Sequence, residues 1–426
     1  MSSFEFETVR DQGGVRVHCL PTSKFKALHL RFFFHSRLDA TATELTLAQA
    51  LAKRGCEGYP DLRSVTIRLE ELYGSSISLN LAKSGERNLF VGRVVCAAEK
   101  YLPSDAAGLV AELLEFFDRL LTRPSGEGGQ YRPELFEQER TNLRRQLEGL
   151  RDDKDAWAHD RFLKSMFSGE PYGLYEYGDL ERLQAVTNRD VRARLEHLLE
   201  HAPVDIYVVG DIEPKAIADQ LSALRCLRGA KDEEPGPPIV HRPGPETTII
   251  EETEAEQARL LIGCPIDMTN LSDRELFALH FYNTLLGGGM FSKLFRSIRE
   301  KASLAYSAHS SLDSLKGLLT ISTGIDAASF EPALALIRQQ LSDLAEGRIE
   351  EEEFRAAKET VVGRLASLPD SPGGWTHQHL ELALAGRQMP LAELPALFRS
   401  LEPKDLVAVA PRVGLETIYL LRSPSQ

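Results

Sequence analysis

Cysteine is scarce and scattered. Cys19, Cys56, Cys96, Cys226 and Cys264 are odd in number and include no C-x-x-C pair, which excludes a disulfide framework or zinc ribbon and predicts buried, reduced thiols. Long apolar runs are missing as well. The stretches at residues 28–34 and 260–264 fall far short of the roughly 20 residues a membrane helix needs, so no membrane partner is expected. The opening residues, Met-Ser-Ser-Phe-Glu-Phe-Glu, are acidic where a secretory leader is basic and then apolar; a cytoplasmic location is the expectation. Basic residues are outnumbered, 50 against 63 acids, for a net charge of −13. That balance repels phosphate backbones and argues against a nucleic-acid partner. No short-period solenoid repeat is present.

What remains is the composition of a folded protein: 426 residues, 42% hydrophobic and 27% charged, enough for two to four domains. The sharpest compositional break is at residues 229–245, where Lys-Asp-Glu-Glu-Pro-Gly-Pro-Pro and Arg-Pro-Gly-Pro carry no apolar period. It reads as an exposed linker between an N-terminal domain at residues 1–228 and a C-terminal domain at residues 246–426. Strand-like stretches at 15–20, 26–34, 76–82, 88–95 and 204–209 are interspersed, in runs, with helical periods at 44–53, 62–73, 106–121, 133–150, 156–166 and 190–200. After the linker, strands at 247–251, 258–264, 305–312, 318–324 and 416–421 alternate with helices at 273–285, 293–299, 329–344, 351–368 and 377–384, with one more near 404–408. Both halves read β-β-α-α-β-β, several helices, then β. Strands that come in runs predict an α+β fold of two similar tandem domains, each an antiparallel β-sheet packed with helices.

The most specific stretch is Leu286-Gly287-Gly288-Gly289-Met290-Phe291-Ser292-Lys293-Leu294-Phe295, followed by Ile298-Arg299-Glu300-Lys301-Ala302-Ser303-Leu304-Ala305-Tyr306-Ser307. Three glycines permit close backbone approach or positive φ, and with no following G-K-[ST] they are not a phosphate loop. Arg299 closes the predicted helix and Tyr306 opens the predicted strand, so both can face one cleft. On the residues alone they form a cation–π or hydrogen-bonded bracing pair, or a functional pair.

This stretch resembles the C-terminal motif of the insulinase/pitrilysin family of zinc peptidases, a glycine-rich helix junction followed by R-E-K-x-x-L-A-Y. The resemblance extends to the tandem domain order and to Val208-Val209-Gly210-Asp211. It implies that Arg299 and Tyr306 contact the substrate backbone or the developing oxyanion. Active relatives carry H-x-x-E-H on the first helix, with two imidazoles on zinc, a glutamate as base and a distant glutamate ligand. Matching the family glycine to Gly55 puts that motif on Thr46-Leu47-Ala48-Gln49-Ala50, and matching Glu139-Arg140 puts the distant ligand on Gln146. Thr46, Gln49, Ala50 and Gln146 supply neither ligand set nor base.

A literal H-x-x-E-H does occur at His197-Leu198-Leu199-Glu200-His201, with both rings on one helical face. It lies far from the family position, and His197 and His201 also suit the negative end of a helix dipole. His377 and His379 point apart on a helix. The acidic runs at 152–155 and 350–353 read as helix-terminal charges, and Trp157, Phe162, Phe167 and Tyr172 as packing.

The resemblance is to a half-length bacterial subgroup, marked here by Arg68 to Ser76 and by the S-L-A-Y-S run, that is associated by name with elongation factor P modification. It implies a subunit without zinc or catalytic residues of its own. The subunit pairs as a heterodimer with a zinc-bearing paralogue, or forms a homodimer in isolation, around a chamber for unfolded peptide. The alternatives are a structural subunit with no peptidase role, and a self-sufficient zinc peptidase using His197 and His201.

Overall fold

The computed structural model describes residues 5–241 and 243–424. Two compact units divide the chain: one takes in the chain up to Gly149 and Leu174–Pro237, the other Leu150–Gly173 and the chain from Pro238 onward.

In the first unit, β1 (Glu7–Gln12), β2 (Val15–Pro21), β3 (Ala27–Arg37), α1 (Ala42–Ala52), α2 (Leu62–Glu71), β4 (Ser76–Ser84), β5 (Arg87–Ala97), α3 (Leu109–Thr122) and α4 (Pro133–Gly149) follow one another. After α5 (Lys154–Met166), which belongs elsewhere, come α6 (Leu180–Ala185), α7 (Asn188–His201), β6 (Val204–Gly210) and α8 (Pro214–Ser222). Among the described residues the sheet runs β1-β2-β6-β3-β5-β4. Alternation on β3 sends Leu28, Leu30, Phe32 and Phe34 into the core with Leu113 and Phe117 of α3 and Leu195 and Leu198 of α7. The helices start where the sequence offers caps: Asp61 accepts from the Ser64 amide at α2, and Thr187 with Asp190 closes a capping box at α7.

The second unit repeats the scheme with β7 (Thr247–Glu252), β8 (Ala258–Pro265), α9 (Asp273–Gly287), β9 (Ala305–Asp313), β10 (Leu318–Ile325), α10 (Phe330–Ala345), α11 (Glu351–Ser367), α12 (Pro372–Leu384), α13 (Leu394–Ser400), α14 (Pro403–Val409) and β11 (Thr417–Arg422). Its sheet order, β7-β11-β8-β10-β9, matches that of the first sheet from β2 onward. The sheets are antiparallel except for one parallel pair in each, β2 with β6 and β11 with β7. In both units the last strand returns to lie between the first two strands of the repeat.

Two expectations need correction. The helix at 154–166 lies in the second unit, where the sequence reading assigns it to a domain at 1–228. Phe162, Met166 and Tyr172 form one apolar cluster with Leu261, Leu318 and Tyr419, and Arg161 and Trp157 bond Glu251. Apolar periodicity identifies such a helix but not the sheet that receives it. The segment at 229–245, expected as an exposed linker, has no regular structure and is largely exposed among its described residues, and it is fastened at both ends. Lys231 is buried against the Leu199 and Cys226 carbonyls, and His241 sits between Glu170 at 3.1 Å and Glu416 at 3.0 Å. The helix expected at 293–299 is a π-helical turn at Phe295–Lys301.

All five cysteines are free and buried. Burial pushes the Cys19, Cys56, Cys96 and Cys264 thiols up to about 12, which leaves them unreactive.

Candidate functional site

The helix on which the resemblance puts the zinc motif is α1, which packs against α4. The turn after it requires glycine: Gly55 has φ +155°, and a Cβ there would lie 2.6 Å from the Tyr59 carbonyl oxygen. Thr46 is buried, and its hydroxyl donates to the Ala42 and Tyr177 carbonyls at 3.0 and 3.1 Å. Gln49 and Ala50 are half-buried and Gln146 is exposed. Beside them Glu139 is held by Arg54 at 2.6 Å. A hydroxyl bonded to backbone, a methyl group and two neutral amides do not form a divalent-metal site. The zinc of active relatives therefore does not fit here.

The alternative histidine pair ends α7. The His197 and His201 rings lie 4.7 Å apart, so the helical spacing does bring them together. Each faces an acid from the connecting segment: His201 Nδ1 is 2.8 Å from Asp232, and His197 Nε2 is 3.2 Å from Glu233. The Asp232 hydrogen bond raises the His201 pKa above its usual value. Among the described residues no group of three or more His, Cys, Asp or Glu is placed to hold a metal ion.

The glycine-rich stretch is built by close approach. A Cβ on Gly287 would meet the Ser310 amide nitrogen at 2.3 Å, and one on Gly288 the Thr284 Cα at 2.6 Å, whereas Gly289 faces open space. The first glycine thus lets the end of α9 rest directly on β9, the strand that carries Tyr306. Lys293 then enters the interior, where its ammonium meets Glu353 of α11 at 2.6 Å and the Arg348 carbonyl at 2.8 Å. The π-helical turn follows, a form concentrated at functional sites.

Within that turn Arg299 is exposed, and its guanidinium lies 4.7 Å from the centroid of the Phe295 ring. Tyr306, the second residue of β9, is 65% exposed. The cation–π partner of Arg299 is therefore Phe295, and both candidate residues are exposed. Arg299, Met290, Phe291, Phe295, Arg355 and Glu359 line an open groove of about 730 Å³. Met290 and Phe291 are 67% and 61% exposed, an apolar rim beside the guanidinium. Sequence reading misses Phe295 as the platform and Glu353 as the anchor; the aromatic four residues before Arg299 is the available signal for the first.

Two α+β units with matching strand order and a glycine-rich junction before Arg299 make up an architecture shared with M16-type proteins. The family described as "Peptidase M16 inactive domain" matches residues 185–361. A curated relative, "Probable inactive metalloprotease YmfF" of Bacillus subtilis (strain 168), is 28% identical over 99% of this chain and 98% of its own. The crystal structure of a conserved protein from Enterococcus faecalis V583 superposes with a TM-score of 0.90 at 26% identity, covering 99% of both chains. A peptidase M16 inactive domain from Pseudomonas fluorescens gives 0.77 at 18% identity over 98% of each chain. The chain is thus similar to M16 (insulinase/pitrilysin) proteins described as inactive, and Thr46, Gln49, Ala50 and Gln146 stand where the resemblance puts the zinc motif.

Proposed function

We propose that this chain is the zinc-lacking subunit of a two-chain cytoplasmic peptidase. A zinc-bearing paralogue supplies metal and base, and this chain supplies Arg299 and Tyr306 to hold an unfolded peptide and steady charge developing on its carbonyl. The observation that carries the reading is the exposure of both side chains: a pair that only braced its own unit would be buried, and here Arg299 is exposed with its guanidinium by the Phe295 ring and Tyr306 is exposed as well. The open groove beside it and its apolar rim suit an extended chain with mixed side chains.

The test is turnover of an unstructured peptide by this chain mixed with its zinc-bearing paralogue. Arg299→Ala and Tyr306→Phe should each lower turnover about 100- to 1000-fold, the effect of losing one oxyanion donor, with folding and pairing unchanged. Full activity in both variants, or a loss that merely tracks unfolding, would leave the structural-subunit reading in its place.

A further inference from the structure

The register of the first sheet sets Arg31 of β3 directly opposite Arg93 of β5. His29, two residues earlier on β3, shares their face by the two-residue period of a strand. This face is turned away from the helices, since the alternate residues Leu28, Leu30 and Phe32 are in the core. Like charges opposed across two strands work against the sheet. Among the described residues, neither guanidinium is paired with an acid. Their other neighbours in register are uncharged: Tyr207 faces Arg31 from β6, and Ser78 faces Arg93 from β4.

Arg31 is half-buried and Arg93 exposed, so one cation has left water without gaining a counter-charge. Burial, and then Arg93, lower the Arg31 pKa; burial, Arg93 and Arg31 lower that of His29. Two strands away the same sheet treats an arginine differently, for Arg16 meets Asp205 through two bonds of 2.8 Å. Cations kept where the fold alone disfavours them mark a place where a ligand completes the charge balance.

We infer that Arg31 and Arg93 form a carboxylate-binding site for an acidic peptide segment laid on this face of the sheet. The inference rests on the peptide-holding reading above and names the substrate feature that reading leaves open. Two adjacent planar forks suit a carboxylate, and the half-buried Val91 and Val95, on the same face of β5, offer apolar contact to the rest of the segment. A short acidic peptide needs only this local patch, whereas a long polyanion meets a chain of net charge −13.

The test uses the full chain and two labelled, unstructured peptides of equal length, one bearing glutamates and the other glutamines at the same places. The glutamate peptide should bind more tightly, lose affinity with salt, and weaken about 10- to 100-fold in Arg31→Gln and in Arg93→Gln, the effect of losing a charge-assisted bond. Arg93→Gln, at an exposed position, should also raise the thermal midpoint of the unliganded chain by relieving the repulsion. Equal binding of the glutamate peptide by the parent chain and both variants would refute the site while leaving peptide holding intact. Failure to bind either peptide would refute both, and an oligonucleotide of matching charge that outcompetes the glutamate peptide would overturn the choice of ligand.

Discussion

Lys293 and Glu353 form an ion pair of 2.6 Å in which both side chains are almost wholly buried, at 6% and 5% exposure. The pair fastens the segment after the three glycines to α11, and thereby fixes where the π-helical turn with Arg299 begins. Glu353→Gln leaves a buried ammonium without its counter-charge, a change that costs roughly 3–5 kcal/mol. Chemical denaturation of the variant should show that loss, and Lys293→Met combined with Glu353→Leu should recover most of it. A loss below about 0.5 kcal/mol, the range of ordinary surface changes, would count against the anchoring role.

Asp205 is the electrostatic centre of the first sheet. Burial alone would push its pKa up, but hydrogen bonds from the Arg16 fork and His18, with the His35 ring 2.8 Å away, outweigh burial and hold the carboxyl well below the usual carboxylate range. A lowered folded pKa contributes stability that is present above the unfolded value, about 3.9, and lost as pH falls through the folded one. Asp205→Asn should therefore lower the thermal midpoint at neutral pH, at a cost of about 3–5 kcal/mol. The gap to the parent chain should narrow progressively below about pH 4. A gap independent of pH would refute the linkage.

His201 and Asp232 make a milder, exposed counterpart. Because Asp232 raises the His201 pKa, their contact is fully present below the ordinary histidine value of about 6.5 and is lost as pH rises through the folded value. An NMR titration should place the His201 midpoint above that value in the parent chain and lower it in Asp232→Asn. Equimolar zinc should leave the His197 and His201 resonances in place; displacement of both would restore the self-sufficient metallopeptidase.

Phe162 is fully buried between α5 and the second sheet. Phe162→Ala should cost about 3–5 kcal/mol, and hydrogen exchange should locate the loosening in β8 and β11, not in β3 and β5. Faster exchange confined to the first sheet would contradict the assignment of α5 to the second unit.

The sequence carries much of the fold on its surface. The alternation of β3 and the apolar period of α7 announce themselves because burial on one face dictates composition, whereas α1 and α9 are apolar nearly all round because they are buried nearly all round. β1 is invisible by the same logic: Glu7–Gln12 has little apolar content, and antiparallel pairing with β2 holds it as an edge strand. The missing zinc ligands are legible because ligand chemistry permits few residue types. The anchoring role of Glu353 is hidden in an acidic run that suits a helix start, and only the tertiary approach of Lys293 distinguishes it from its neighbours. The opposition of Arg31 and Arg93 depends on strand register, which no local pattern of either strand specifies.

The placement of α5 also sets an order of events during synthesis. Ala158, Phe162, Leu163 and Met166 leave the ribosome before β8 and β11, which cover them, and β11 at Thr417–Arg422 is made long after them. Until then an emerging chain carries an unsheltered apolar stripe in the midst of a first unit that is otherwise able to close. Vectorial folding therefore cannot finish one half and then the other. A product stalled or truncated near residue 237 would keep the exposed helix as an adhesive handle for chaperones or for other unfinished chains.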